Sequence, residues 1–179
     1  MDNLFRQRAI IMRDIDVVYE SLFLRSVTGF EVFLQDQFID ILKGNARYPR
    51  TRVSVLITAK TNDALMSILL QGGRYMTWLP FSNTEDRAKL YLKEGRPFTD
   101  LTNGDKSMIG TITTTRNAIA HKSEHAMREF NRIVIGAQAL LPRERSPAGY
   151  LRSPVRASSA TNRFQIYERE LARIANALT

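Results

Sequence analysis

"VTGFEVFLQDQFIDILKG", residues 27–44, is the stretch whose period decides the fold. Val27, Phe30, Leu34, Phe38 and Ile41, joined by Leu42, recur at three- and four-residue steps with mostly polar residues between them. That is one face of a helix; a half-buried strand would alternate every second residue. Gly29 weakens the segment because glycine loses the most backbone freedom on becoming helical, and Gly44 follows as a natural C-cap. Glu31 falls on the apolar stripe. A carboxylate there is costly unless it is paired or hydrogen-bonded, so either it has a buried partner or the helix is rotated to bring it to the rim.

The same period extends outward on both sides. Upstream, residues 3–24 carry Leu4, Ile11, Ile15, Val18 and Leu22 at helical spacing. Downstream, the β-branched "VSVLIT", residues 53–58, allows a short strand-like piece. A helix follows through "NDALMSILLQ" and ends at Gly72-Gly73. In "WLPFSNTEDRAKLYLKEG", residues 78–95, Pro80 marks a turn, Ser82 and Glu85 have the spacing of a capping box, and the helix stops at Gly95. Trp78, Leu79 and Phe81 are expected in the core. Two more helices are expected over 105–122 and 124–141, the second with Met127, Phe130, Val134, Ala137 and Leu141 as its stripe.

Residues 142–163, "PRERSPAGYLRSPVRASSATNR", break the pattern and read as a basic Pro/Ser/Arg-rich arm or loop. Phe164, Tyr167, Leu171, Ile174 and Leu178 then form a narrow seam for docking a C-terminal helix onto the body or a partner subunit. The expectation is an all-α protein, mainly an antiparallel helical bundle over 1–141, with the arm at 142–163 and the docking helix at 164–179.

Charge narrows the function classes. The chain carries +8 with a pI near 10.1, and two segments hold the excess. Residues 41–62 contain Lys43, Arg47, Arg50, Arg52 and Lys60 with no acid; residues 142–163 contain five arginines, Arg152 and Arg156 among them, against Glu144 alone. The rest of the chain is near neutral. Basic loops on a neutral body suit an anionic partner, with solubility as the plainer alternative. There is no cysteine, so disulfides and thiol chemistry are excluded. No apolar run approaches the ~20 residues of a membrane span, and "MDNLFRQRAI" lacks a signal pattern. A cytoplasmic protein with no membrane partner is expected.

The chemistry-bearing stretch is "TTTRNAIAHKSEHAMREF", residues 113–130. At about 100° per residue, Arg116 leaves its helix at the edge of the stripe formed by Met108, Ile109, Ile112 and Ile119. Asn117 and His121 share the opposite face with Gly110, Thr113 and Thr114, a face without Lys or Glu that lets a helix or a ligand approach closely. Arg116 and His121 stand about 140° apart on a regular helix. They meet on one target either if the arginine curls round from its apolar edge, or if the helix breaks after His121 and Ser123 caps the next one with Glu124 in its first turn. Histidine both takes and gives a proton near neutral pH, and a guanidinium forks onto phosphate oxygens. On a basic body this combination suits phosphodiester cleavage in RNA by the substrate's own 2′-hydroxyl, which needs no metal or other cofactor. His121 and His125 are four residues apart but lack a third ligand, so no metal site is expected.

"RNAIAHKS" resembles the signature of the HEPN superfamily, an R-x4–6-H motif with a polar residue after the arginine. Arg116, Asn117 and His121 match its positions. "WLPFSNTEDRAKLYL", "GRPFTDL" and "PAGYL" are similar to its RiboL-PSP-type branch. The resemblance covers roughly residues 1–141. It implies a metal-independent endoribonuclease of the toxin–antitoxin, abortive-infection or phage-defence kind, a homodimer with motif helices facing each other, and an antitoxin or other defence protein as partner. His121 is then the acid/base, Arg116 the phosphate stabiliser and Asn117 the orienting group; Glu31 matches an early-helix acid by position. Arg50, Arg52, Lys122, Arg152 and Arg156 are the candidate RNA-binding cations. Ser123 stands where a modifiable branch of the family has tyrosine, which argues against that form of control. The alternative reading is a HEPN fold that binds RNA or a partner without cutting.

Overall fold

A computed structural model describes residues 11–44, 53–57, 59, 61–70, 72–155 and 160–179. Its helices are α1 (Met12–Leu42), α2 (Asn62–Leu70), α3 (Phe81–Tyr91), α4 (Asn103–His121), α5 (Glu124–Glu129), α6 (Pro147–Arg152) and α7 (Arg163–Ala177). Single 3-10 turns lie at Lys93–Gly95, Phe98–Asp100 and Pro142–Glu144, and a π-helical turn at Phe130–Ile135 continues α5. Among the described residues, extended pairing is limited to the isolated bridges Val55–Leu92 and Pro154–Asn162. The chain is all-α.

Residues 27–42 form the C-terminal half of α1, which runs unbroken through Gly29. Val27, Phe30, Leu34, Phe38 and Ile41 are buried, and Gly44 (φ 71°) ends the helix with its N–H on the Ile41 carbonyl at 2.9 Å. The upstream stripe needs correction. Leu22 is 44% exposed and Ile11 is exposed too; the buried positions are Ile15 and Phe23, in phase with Val27. Leu4 lies outside the described residues.

The chain forms two compact units. One comprises the chain through Gly29 with Thr111–Ala172, the other Phe30–Gly110 with Arg173–Thr179. Helices α1, α4 and α7 each supply residues to both.

In the first unit, Phe164 meets Tyr19 edge-on at 5.9 Å and Tyr167 lies 6.0 Å from Phe23. Ser26 donates to Glu168 at 3.0 Å. The seam expected on the last helix is therefore spent within this chain: Phe164, Tyr167 and Leu171 are buried here, and Ile174 and Leu178 in the second unit. The segment expected as an arm contains a buried helix, α6. Ser146 caps α6 by accepting from the Gly149 N–H at 3.1 Å, and Pro147 to Leu151 are all buried. Two of its arginines are held inside the unit: the buried Arg163 stacks 4.4 Å over the Tyr150 ring and donates to the Pro154 carbonyl at 3.1 Å, and Arg152 faces Asp16 at 3.6 Å. The helix expected over 124–141 ends early, at Gly136 (φ 51°), which leaves Ala137 and Leu141 exposed.

In the second unit, Phe38 gathers Trp78 (5.3 Å), Phe98 (5.5 Å) and Tyr91 (6.3 Å). Trp78 donates its indole N–H to Gln35 at 3.2 Å. Trp78 and Phe81 are buried and Leu79 half-buried. The strand-like piece amounts to one bridge: Leu56 N–H bonds the Tyr91 carbonyl at 2.9 Å and Lys93 N–H the Ser54 carbonyl at 2.8 Å. The capping box at Ser82 and Glu85 is not formed. Pro80 occupies the N-cap, Ser82 already lies inside the first turn, and Glu85 pairs with Lys106 at 2.8 Å instead.

Candidate functional site

Helix α4 carries the motif, and its two termini are built by local hydrogen bonds. At the start, the Thr102 hydroxyl accepts from the Asp105 N–H at 3.1 Å, while the Asp105 carboxylate accepts from the Thr102 N–H at 3.0 Å and hydroxyl at 2.7 Å. This reciprocal pairing satisfies donors the helix leaves free. The carboxylate is also ion-paired with Arg173. The bond from Arg173, then those from Thr102, hold Asp105 below the usual carboxylate range against the opposing effect of burial.

At the other end the helix stops at His121. Lys122 adopts the left-handed conformation (φ 48°), rare for a residue with a side chain, and its N–H reaches the Ala118 carbonyl at 3.3 Å. Ser123 is extended and caps α5 by accepting from the Ala126 N–H at 3.2 Å, with Glu124 in the first turn. Of the two ways of bringing Arg116 and His121 to one target, the chain builds the break. The His121 side chain is exposed and has no hydrogen-bond partner among the described residues.

Arg116 is half-buried and donates to the Asn117 side-chain oxygen at 3.1 Å, so these two motif members are in contact. No carboxylate pairs with Arg116 among the described residues. On the face shared by Asn117 and His121, Thr113 is buried and Thr114 half-buried, while Gly110 at one end and His121 at the other are exposed. Glu31 belongs to the second unit, is half-exposed, and makes no ion pair among the described residues. It takes the rim position, because the buried face of α1 runs through Val27, Phe30 and Leu34 on either side of it.

Of the candidate RNA-binding cations, Lys122 pairs with Glu20 at 3.2 Å and Arg152 with Asp16 at 3.6 Å. Arg152 is mostly buried, and its Nε and Asp16 Oδ1 have no hydrogen-bond partner among the described residues. Arg152 is thus engaged inside the unit, whereas the Lys122 side chain remains largely exposed beside Glu20. Arg50, Arg52 and Arg156 lie outside the described residues. Sequence reasoning passed over Arg13, Arg25 and Arg169 of the first unit, which, like Arg143 of the basic 142–163 segment, are exposed and make no ion pair among the described residues. Their signal was available for Arg13, Arg25 and Arg169, which fall outside the buried stripes of α1 and α7. His125 is exposed, and no group of three or more His, Asp or Glu residues with metal-site geometry occurs among the described residues.

Directly behind the motif, a buried hydroxyl chain went unforeseen. Thr115 donates to the Thr111 carbonyl at 2.9 Å, and the buried Tyr167 hydroxyl lies near those of Thr115 and Tyr150. Burial first, and the neighbouring Tyr150 second, push the Tyr167 phenol well above its ordinary range. This chain ties the residue preceding Arg116 to α6 and α7 of the same unit.

Set against family models, characterised proteins and solved structures, the chain matches none of them.

Proposed function

We propose that this protein is a metal-independent endoribonuclease of the HEPN type, an antiparallel helical bundle acting as a homodimer with its motif helices facing each other. His121 removes the proton of the substrate 2′-hydroxyl as that oxygen attacks phosphorus. Arg116 neutralises the developing charge on the phosphate oxygens, and Asn117 holds the guanidinium in place. The bond from phosphorus to the 5′-oxygen breaks, that oxygen receives a proton, and the products are a 2′,3′-cyclic phosphate and a 5′-hydroxyl. Positioned acid–base groups of this kind contribute about 10²–10⁴-fold. The biological setting we propose is cytoplasmic, in toxin–antitoxin, abortive-infection or phage defence, with an antitoxin or another defence protein as partner.

The observation that carries the reading is the end of α4. Lys122 and Ser123 stop the helix so that His121 is exposed and unpartnered among the described residues, five positions after an Arg116–Asn117 contact that has no carboxylate to neutralise it. A guanidinium held by an amide rather than an acid keeps its charge for an incoming anion.

The test is cleavage of single-stranded RNA by the purified chain in EDTA, with the ends identified chemically. Cyclic-phosphate ends, lost in His121→Ala with the helical circular dichroism unchanged, support the proposal. Activity that needs Mg²⁺ or survives His121→Ala refutes it. RNA bound equally by both forms and cut by neither replaces it with the non-cutting binding reading.

A further inference from the structure

The second unit contains a cavity of about 310 Å3 that the nuclease reading does not use. Its volume lies at the small end of ligand pockets, which run from about 300 to 1,000 Å3. Leu69 at the end of α2, Tyr75 in the following loop, and Asn83, Asp86, Arg87 and Leu90 along α3 are the lining residues that matter.

Arg87 is the informative one. Its guanidinium lies 4.7 Å from the centroid of the buried Trp78 ring and donates once, from Nη1 to the Thr77 carbonyl at 2.9 Å. It has no carboxylate partner among the described residues: the adjacent Asp86 turns to Lys89 at 3.6 Å. Burial pulls the Arg87 pKa below the ordinary arginine value. A half-buried cation fixed by stacking, with most of its donors unused and no carboxylate paired to it, is suited to receive an anion. The rest of the wall is not that of a simple phosphate site. Tyr75 is 78% exposed and Leu90 62%, an aromatic ring and an apolar side chain left open to water at the cavity. Asn83 and Asp86 add an amide and a carboxylate, which suit the N–H-bearing edge of a heterocyclic base.

We propose that this cavity binds a nucleoside monophosphate, free or as one residue of a strand, with Arg87 on the phosphate, Tyr75 against the base, and Asn83 and Asp86 at the base's polar edge. The ligand class follows from the pairing of one anion-seeking group with one stacking surface in a space that holds a single small molecule. The proposal is independent of whether the His121 motif cuts RNA.

Trp78, the chain's only tryptophan, lies under Arg87 and so reports on the site. Titration of the full chain with guanosine 5′-monophosphate, followed by tryptophan fluorescence and calorimetry, should give saturable binding at one site. Guanosine and inorganic phosphate should each bind at least tenfold more weakly, because each lacks one of the two recognition elements, and so should benzoate, which has no phosphate and no polar base edge for Asn83 and Asp86. Arg87→Met should lower the affinity at least tenfold. Tyr75→Ala, at a largely exposed position that does not threaten folding, should lower it severalfold. A tetraribonucleotide that competes at equal or lower concentration marks a strand as the source; a mononucleotide that binds alone marks a free ligand. No saturable binding at millimolar nucleotide, affinity unchanged in Tyr75→Ala, or phosphate binding as well as the nucleotide would each overturn the proposal.

Discussion

At the N-terminal end of α4, Thr102 and Asp105 satisfy each other's polar groups and Arg173 closes the remaining charge. At the C-terminal end the last residue, His121, is exposed and has no such partner among the described residues, and the chain turns away through a left-handed lysine. One end has its hydrogen-bonding and charge requirements met inside the protein; the other leaves a titratable ring for something outside it. A helix terminus built only for stability would resemble the first. The contrast teaches where to look for chemistry: at the end that the fold leaves open, not at the densest cluster of charges.

The largest effect is expected midway between the two ends, where Ile112 is fully buried. Ile112→Ala should cost about 2–5 kcal/mol in chemical denaturation, from lost transfer energy and a cavity. If it costs under 1 kcal/mol, the helix is not held as described. Next comes the closed end. Asp105→Asn keeps the size of the side chain and loses its charge against Arg173, at a cost of about 1 kcal/mol at neutral pH. Because the folded-state pKa of Asp105 is depressed, that stabilisation is present above the ordinary carboxylate value of about 4 and is lost as the pH falls through the lower folded value. Wild-type and variant melting temperatures should therefore converge in acid; a constant gap would contradict the assigned pairing.

At the open end, Ser123→Ala removes the cap that starts α5 and should cost about 1 kcal/mol. On the proposed function it should also slow RNA cleavage while RNA binding holds, since it loosens the turn behind His121. Smallest is Lys122→Gly. It relieves a left-handed residue, worth roughly 1–2 kcal/mol, and gives up an exposed Glu20 pair worth about 0.2–1 kcal/mol. The net change should be stabilising or close to zero, read as the shift in urea midpoint; a clear loss of stability would mean the Lys122–Glu20 pair matters more than the backbone.

Much of this contrast was legible in the sequence. Val27 to Ile41 fixed the phase of α1, and Ser123 with Glu124 announced a new helix start and hence a break after His121. What was not legible depended on contacts between distant residues. Nothing local to "PRERSPAGYLRS" says that Tyr150 has Phe130 edge-on at 5.8 Å and Arg163 stacked above it, so a Pro- and Arg-rich segment read as an arm. Lys122 and Arg152 looked like free cations because their acids, Glu20 and Asp16, lie far away in the chain. The Ser82 capping box failed to a competing local signal, Pro80, which sets the helix start two residues earlier. The open pocket around Arg87 had no signature at all, since it joins residues from two helices and a loop.

The most direct test pits the two ends of α4 against each other in one assay: RNA cleavage in EDTA by wild type, His121→Ala and Thr102→Ala, alongside their melting temperatures. The account predicts that Thr102→Ala melts lower yet cuts at the wild-type rate where it is folded, while His121→Ala melts like wild type and loses at least ~100-fold in rate. Cleavage retained by His121→Ala, or absent from wild type until a divalent metal is added, would contradict it.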